Sequence, residues 1–332
     1  MRTVYLGTSA FAVAVLERLA ESEHRPALVV TRPDRPRGRG RRTAAPPVAE
    51  AARAIGIEVA QPERVNAPEA RELIAAARPD AVAICAFGAL LAEPLLTSHE
   101  MLNVHPSLLP RWRGAAPIER AIEAGDEATG VSIMRPTAEM DAGPVCLARE
   151  ERILPEDDFG SLSTRLAALG GELLVEALDR CPPCVEQPSE GVTLAPKIEP
   201  DERRLDPEHS TALALERRVR ALTPHVGAWL PLGTTGGGDD EERLVIRSVR
   251  AFDGEGPGGA APRGELAARD GRVSLGCVEG TLELLEVQPA GGRAIAAADW
   301  LRGRGARFVR AAPAATAHGA EAGGGDRPAR RA

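Results

Sequence analysis

Residues 101–118 read Met101-Leu-Asn-Val-His-Pro-Ser-Leu-Leu-Pro-Arg-Trp-Arg-Gly-Ala-Ala-Pro-Ile118. The stretch opens with apolar residues that suit the interior of a sheet, and Pro106 then removes a backbone donor, so a strand is predicted to end at His105. Side chains alternate between the faces of a strand, which places Asn103 and His105 on one face at its carboxyl end. An amide can stabilise a developing oxyanion, and an imidazole can move a proton near neutral pH. The pair therefore suits attack by a substrate's own nucleophile on a carbonyl carbon, although an Asn and a His that only complete a turn would look the same.

Predicted strands and helices alternate around this stretch. Residues 81–86 are apolar on both faces, which is typical of a strand in the middle of a parallel sheet covered by helices. The alternation predicts a doubly wound, mostly parallel, Rossmann-like α/β domain over residues 1–187. In such sheets ligands bind beyond the carboxyl ends of the strands, so Gly7, Phe87, Gly88 and residues 103–110 should converge on one crevice. Because Gly7 lacks G-x-G-x-x-G spacing, no dinucleotide site is expected there.

The densest positive charge lies in a short stretch near the amino terminus, although the whole chain has a formal charge of −7. Six arginines face the single acid Asp34 there, namely Arg32, Arg35, Arg37, Arg39, Arg41 and Arg42. The prolines and glycines among them predict a long, irregular, exposed loop. Arginine forks grip phosphates and stack on bases, so this loop is predicted to clamp a nucleic acid. A solvated charged loop is the alternative.

The pattern changes after residue 187. Residues 188–207 are predicted to form a linker, and residues 208–312 contain short strands separated by glycine-rich turns, which predict a small β-barrel. Residues 313–332 are too poor in large apolar side chains to fold and are predicted to be a disordered tail. The chain is therefore expected to contain two folded domains.

The composition indicates the cellular compartment and redox environment in which the protein is expected. Five cysteines form no even framework, the chain opens with a strand-like segment, and no apolar run reaches the roughly 18 to 20 residues that span a bilayer. A reduced, cytoplasmic protein with no membrane contact is expected, and the absence of a sustained apolar seam favours a monomer. Cys181 and Cys184 form a single C-x-x-C, but zinc would need further ligands, so no metal site is predicted.

The opening stretch also resembles a known family. Asn103 to Ile118 is similar to the signature of the 10-formyltetrahydrofolate-dependent formyltransferases. The segment Gly130-Val-Ser-Ile-Met-Arg-Pro-Thr-Ala-Glu-Met-Asp-Ala-Gly143 resembles the one that carries the catalytic aspartate of that family, with Pro144 where the family often has Asp. The resemblance implies that the catalytic residues are Asn103, His105 and Asp141. It implies folate contacts at Ser107, Leu108, Leu109 and Pro110, and Phe87 and Gly88 are predicted to border the pterin ring.

The arginine-rich stretch resembles the insertion by which the tRNA-formylating members of the family engage the acceptor stem. This implies RNA-binding roles for Arg35, Arg37, Arg39, Arg41 and Arg42, and a second domain similar to an OB-fold. The implied reaction transfers a formyl group from 10-formyltetrahydrofolate to the α-amino group of methionine on initiator methionyl-tRNA. Two alternatives stay open: a formyltransferase acting on a small amine, such as a glycinamide nucleotide or an amino sugar, and a non-catalytic RNA-binding protein.

Overall fold

The amino-terminal part of the chain is built around one seven-stranded sheet. The computed structural model describes residues 1–37, 42–232 and 242–304. The first elements are, in chain order, β1 (Thr3–Gly7), α1 (Ala10–Ala20), β2 (Pro26–Val30), β3 (Arg35–Arg37), β4 (Arg42–Ala44), α2 (Pro47–Ala54), β5 (Val59–Ala60), α3 (Pro68–Ala76), β6 (Ala81–Cys85), α4 (Leu95–Ser98), β7 (Met101–His105), β8 (Arg113–Gly114), α5 (Pro117–Ala124), β9 (Ala128–Met134), β10 (Val145–Arg152) and α6 (Phe159–Arg180).

The sheet has the order β10-β9-β7-β6-β1-β2-β5. Neighbouring strands among β7, β6, β1, β2 and β5 pair in parallel. At the other edge, β9 pairs antiparallel with both β7 and β10. Helices cover both faces because the central strands are apolar on both sides, with Val104 in the core beneath α1 and α6 and Ile84 in the core of the other face. The predicted doubly wound α/β fold is confirmed. The predicted strand end is confirmed as well, since β7 stops at His105.

The arginine-rich stretch is more regular than expected. We predicted an irregular loop, but β3 and β4 pair as an antiparallel hairpin with Arg35 opposite Ala44 and Pro36 opposite Thr43. A proline lacks only one ladder donor, and a two-stranded ribbon tolerates that loss where the nitrogen faces outward. The prediction of no regular element was therefore wrong for the two ends of this stretch.

The carboxyl-terminal part is a second, antiparallel sheet. Its elements are β11 (Leu194–Ala195), a 3-10 turn (Pro200–Arg203), α7 (Ala212–Leu222), β12 (Ala228–Leu232), β13 (Glu242–Phe252), β14 (Leu266–Arg269), β15 (Arg272–Gly276), β16 (Thr281–Gln288), β17 (Ile295–Ala296) and α8 (Ala297–Arg304). The strand order is β12-β13-β16-β15-β14, with β17 on β16. The separate domain predicted here is confirmed as an antiparallel sheet, and in the described ranges its edge strands β12 and β14 do not pair with each other. The boundaries at residues 187 and 207 stay a prediction, and the predicted tail lies outside the described residues.

Ion pairs join the two parts. Arg120 on α5 lies 2.9 Å from Glu123 and 2.7 Å from Glu202, which belongs to the 3-10 turn. Arg218 on α7 reaches Glu123 at 3.1 Å, and the hydrogen bond from Arg120 lowers the pKa of the Glu202 carboxyl below its usual value. The carboxyl-terminal sheet is thereby held against helix α5, which directly follows the stretch that carries Asn103 and His105.

The cysteines do not follow the expectation of a fully reduced chain. Cys146 on β10 forms a disulfide with Cys184, whereas Cys181 is exposed and free. The sequence could not reveal this pairing because the two cysteines are 38 residues apart and meet only when the chain after α6 turns back along β10. The expectation was wrong for these two thiols.

Two absences hold for residues 1–37, 42–232 and 242–304, the part of the chain that the structure describes. No helix there has the length and apolar character of a membrane span. Likewise, no three His, Cys, Asp or Glu side chains in those ranges gather as metal ligands.

A buried ion pair supports the start of helix α6. The carboxylate of Asp157, 3% exposed, accepts two hydrogen bonds of 2.7 Å from Arg165. Burial by itself would raise the pKa of Asp157, but the hydrogen bonds from Arg165, Ser161 and the Leu154 N–H lower it from 3.8 to about 2. A carboxyl with a lower pKa in the folded state stabilises the fold above its unfolded pKa and loses that contribution as the pH falls through the folded value.

We therefore expect Asp157→Asn to destabilise the protein by about 3 kcal/mol at pH 7, the low end for breaking a buried pair because Arg165 is partly exposed. The cost should shrink as the pH falls from about 4 towards 2, as measured by urea unfolding. The matched control is Asp270→Asn, whose partner Arg269 and own side chain are 73% and 87% exposed, so its effect should stay within about 0.5 kcal/mol. A cost that did not depend on pH would contradict this account.

Candidate active site

His105 and Asp141 face each other at the carboxyl end of β7. The Nδ1 atom of His105 lies 3.6 Å from Oδ2 of Asp141, and the two side chains are only 5% and 17% exposed. The Nε2 atom of His105 contacts the carbonyl oxygen of Trp112 at 3.0 Å. Because a carbonyl oxygen only accepts, this contact places a hydrogen on Nε2 and leaves Nδ1 as the nitrogen that gains or loses a proton. The structure thus brings together two of the three predicted catalytic residues, with Nδ1 of His105 facing the carboxylate of Asp141.

Asn103 lies on the same face of β7 as His105. Its partners in the sheet are Ile84 on β6 and Met134 on β9, while His105 pairs with Ser132. The Nδ2 atom of Asn103 has a contact of 3.7 Å with the sulfur of Met134. A thioether is a weak acceptor, so this contact orients the amide and leaves its N–H groups open to a stronger acceptor. The predicted one-sided placement of the amide and the imidazole follows from the alternation of the strand.

The backbone that orients His105 was not foreseen. Trp112 has a positive φ of 64°, and its indole Nε1 donates to Asp126 at 2.8 Å. Arg111 grips the same carboxylate with two hydrogen bonds of 2.9 and 2.6 Å, and its guanidinium lies 4.4 Å from the indole ring centre. Asp126 therefore fixes the loop whose carbonyl fixes the imidazole. The Arg-Trp-Arg-Gly run contributes to the family resemblance, but only the fold shows that its backbone orients the imidazole.

Asp141 is fixed from a second direction. Its Oδ2 accepts a hydrogen bond of 3.0 Å from the N–H of Gly114. Gly114 has a φ of 131°, and a Cβ atom at this position would lie 2.5 Å from the carbonyl oxygen of Ala195. Only glycine fits there, because β8 and β11 run side by side at this point. The carboxylate is thus tied to the same loop that holds the imidazole.

The four residues predicted to contact folate have different surroundings. Ser107 is fully buried, and its hydroxyl donates to the carbonyl of Arg111 at 2.6 Å. Its side chain stabilises the loop, so a direct side-chain contact with a ligand does not fit this structure. Leu108 packs against Gly130, Leu109 lines a cavity of about 300 Å³ beside β10, and Pro110 follows a cis peptide bond.

Phe87 and Gly88 line a different cavity, of about 520 Å³, at the ends of β1, β2 and β6. Thr8, Arg32 and Arg35 also line it, and the hydroxyl of Thr8 donates to the carbonyl of Phe87 at 2.7 Å. In the sheet, β7 lies between β6 and the β9-β10 edge, so the Asn103–His105–Asp141 cluster lies between the two cavities. Of the predicted folate residues, Phe87 and Gly88 therefore border one of these cavities and Leu109 the other.

The predicted RNA-binding arginines are only partly described. Arg35 is exposed at the start of β3 and lines the larger cavity. Arg37 and Arg42 are placed by their backbones as the paired ends of the hairpin, while Arg39 and Arg41 lie outside the described residues. Their role in binding RNA stays a prediction.

Comparison with known proteins places this site in a family. The family model described as formyl transferase matches residues 1–178, and the model described as formyl transferase, C-terminal domain, matches residues 197–305. The chain belongs to the formyl transferase family. The matches cover both sheets, so the family relationship includes the carboxyl-terminal domain as well as the site.

Curated relatives are similar along most of the chain. A methionyl-tRNA formyltransferase from Halorhodospira halophila is 44% identical over 310 residues, which cover 91% of this chain and 96% of the relative. A methionyl-tRNA formyltransferase from Thermus thermophilus is 41% identical over 308 residues, covering 92% of this chain and 97% of the relative.

Solved structures of two other proteins share the fold of this chain. HypX from Aquifex aeolicus, in complex with tetrahydrofolic acid, has a TM-score of 0.61 at 18% identity, over 91% of this chain and 47% of that one. This chain thus spans about half the length of HypX. An N-formyltransferase from Helicobacter canadensis, in complex with folinic acid and dTDP-3-aminofucose, has a TM-score of 0.60 at 12% identity, over 85% of this chain and 98% of that one. At such identities the likeness is one of fold alone.

Proposed function

We propose that this protein transfers the formyl group of 10-formyltetrahydrofolate to the α-amino group of methionine on initiator methionyl-tRNA. The observation that carries the proposal is the match to methionyl-tRNA formyltransferases across both domains, at 44% identity over 91% of this chain. The reaction belongs to translation, so we place the protein in the cytoplasm.

The residues at the end of β7 have the chemistry that such a transfer needs. Asn103 donates a hydrogen bond to the formyl oxygen as negative charge develops on it, which its weak contact with Met134 leaves it free to do. Nδ1 of His105 accepts the proton that leaves the attacking amine and returns it to the departing nitrogen. Asp141, 3.6 Å from that atom, favours the charged imidazole and keeps the ring facing the substrate. No side-chain nucleophile is required, because the substrate supplies the amine.

The cavity beside Phe87 fits the co-substrate. Its volume of about 520 Å³ lies within the range of pockets that enclose small organic ligands, and Phe87 offers an apolar wall. Arg32 and Arg35 add positive charge at the same cavity, which suits an anionic tail or a phosphate. We assign Phe87, Gly88 and residues 108–110 to folate binding, and 10-formyltetrahydrofolate supplies the one-carbon unit when bound.

One assay separates this function from its rivals. The protein is incubated with 10-formyltetrahydrofolate and, in parallel, with charged initiator methionyl-tRNA, a glycinamide nucleotide or a nucleotide-linked amino sugar. We expect the formyl group on methionyl-tRNA alone, detected by acid gel or mass spectrometry. Formylation of a small amine instead would establish the first alternative. Binding of the tRNA without any transfer would indicate a non-catalytic RNA-binding protein.

The arginine hairpin gives a separate prediction about the tRNA. The double variant Arg41→Ala with Arg42→Ala should raise the KM for methionyl-tRNA about tenfold. A plot of log KM against log salt concentration should also be less steep, with its slope lower by about 1.5, as expected for two lost phosphate contacts. Folate affinity should not change. The control is Arg180→Ala, an exposed arginine on α6 that pairs with Glu176. Loss of folate affinity in the double variant would instead indicate that the hairpin has a structural role.

A further inference from the structure

The chain that follows α6 returns to the active site. Val185 and Val145 exchange two backbone hydrogen bonds of 2.8 and 2.9 Å, and the neighbouring Cys184 is joined to Cys146 by the disulfide. Val145 begins β10, directly after the turn that carries Asp141. Residues 184–187 are therefore attached to the start of β10, next to the turn that carries Asp141, although they lie more than 40 residues later in the sequence.

Gln187 uses every hydrogen-bonding position of its side-chain amide in this place. Its Nε2 donates to the carbonyl oxygens of Asp141 and Gly143, at 2.8 and 2.7 Å. Its Oε1 accepts from Nε and Nη2 of Arg113, at 3.0 and 2.8 Å. An amide has two donor hydrogens and two acceptor lone pairs, so all four are satisfied. The single side chain of Gln187 thus joins the Asp141 turn to the loop that begins at His105.

The turn that carries Asp141 has a backbone conformation that needs support from other residues. Asp141 has a φ of 51°, in the left-handed region that costs a residue other than glycine free energy. A Cβ atom on Gly143 would lie 1.9 Å from the carbonyl of Arg135, so the turn is tightly closed. The N–H of Gly114, the neighbour of Arg113, holds the carboxylate of Asp141 at 3.0 Å. Gly114 therefore holds the side chain of Asp141, while Gln187 holds its backbone.

We propose that Gln187 is a positioning residue for formyl transfer, which acts by holding Asp141 opposite Nδ1 of His105. The proposal rests on the function proposed above. It goes beyond that function because Gln187 lies outside both motifs, and its side-chain hydrogen bonds go to Arg113 and to the turn of Asp141. Gln187 would affect the reaction only by fixing the position of the Asp141 carboxylate.

The substitution Gln187→Glu tests the donor half of this arrangement. Glutamate has the same shape and still accepts from Arg113, but an oxygen replaces Nε2 and faces the two carbonyl oxygens of the turn. We expect kcat to fall about tenfold or more, because small displacements of catalytic groups are costly. The KM values for folate and methionyl-tRNA should stay within about twofold, since glutamate keeps the size of the side chain at the cavity that Leu109 lines. The control is Glu190→Gln, the reverse change at an exposed residue later in the same segment and outside that cavity, which should leave kcat near that of the wild type.

A double-mutant cycle with Asp141→Ala separates positioning from a general loss of structure. If Gln187 acts through Asp141, adding Gln187→Glu to Asp141→Ala should change kcat at most about twofold. An undiminished loss in that background, or a normal kcat for Gln187→Glu alone, would overturn the inference. Wild-type protein that does not formylate methionyl-tRNA would instead refute the proposed function, so the two failures are distinguishable. Thermal melting of each variant identifies any that fail to fold, and if Gln187→Glu fails, Gln187→Ala replaces it in the same cycle with the same expected outcomes.

Discussion

Replacing His105 with alanine is expected to slow formyl transfer about 100-fold or more at saturating folate. The imidazole is held by the Trp112 carbonyl at Nε2, so Nδ1 is free to carry the proton, and Asp141 lies 3.6 Å from that atom. Alanine removes the imidazole, the group at the end of β7 that we propose accepts the proton of the amine near neutral pH. The measurement is single-turnover formylation of charged methionyl-tRNA.

The control for this prediction is His209→Ala. His209 is 73% exposed on the carboxyl-terminal part and pairs with Asp206, so its loss should leave the rate unchanged. Folate affinity, measured by equilibrium binding, should also be unchanged in His105→Ala, because the imidazole is buried and its partners are protein atoms. A near-normal single-turnover rate in His105→Ala would refute the role of proton carrier.

Asn103→Ala should reduce the same single-turnover rate by about 100-fold to 1000-fold, which corresponds to about 2.7 to 4 kcal/mol for one lost oxyanion donor. The effect should appear in kcat and not in the KM for folate, since the hydrogen bond strengthens only as charge develops on the formyl oxygen. Met134 packs beside the amide, so the strand keeps its neighbours when the side chain is shortened.

The variant Asn103→Asp tests whether the effect is electrostatic. Aspartate has the shape of asparagine but places negative charge where negative charge must develop, so its rate should be no faster than that of Asn103→Ala. If the two shapes rather than the charges mattered, Asn103→Asp would retain most of the wild-type rate. That outcome would show that the residue fills space beside Met134 and does not stabilise the transition state.

Much of the amino-terminal fold could be predicted because its signals are local. The proline after His105 ends β7 where expected. The second sheet was also foreseen from its five short strands. The pairing of β3 with β4 was not foreseen. A high proline and glycine content argues against strands, but it does not forbid a two-stranded ribbon.

The site divides in the same way. Asn103 and His105 share a face because a strand alternates, and this follows from a spacing of two residues. Asp141 entered only through resemblance, since an aspartate before Ala-Gly is by itself an ordinary turn residue. The sequence contained no signal for three features: the orientation of the imidazole by Trp112, the hydrogen bonds from Gln187 to the Asp141 turn, and the Cys146–Cys184 disulfide.

The sequence by itself determined the α/β order of the first domain, the end of β7 and the placement of an amide and an imidazole on one face there. These features depend on side-chain periodicity and on proline chemistry, which act over a few residues. Long-range contacts are needed to set which nitrogen of His105 faces Asp141, how Asp141 is held in a left-handed turn, and which side chains enclose the cavities on either side. Those contacts join residues that are apart in the sequence, such as Trp112 with His105, 7 positions apart, and Gln187 with Asp141, 46 positions apart, so they exist only once the chain has folded back on itself.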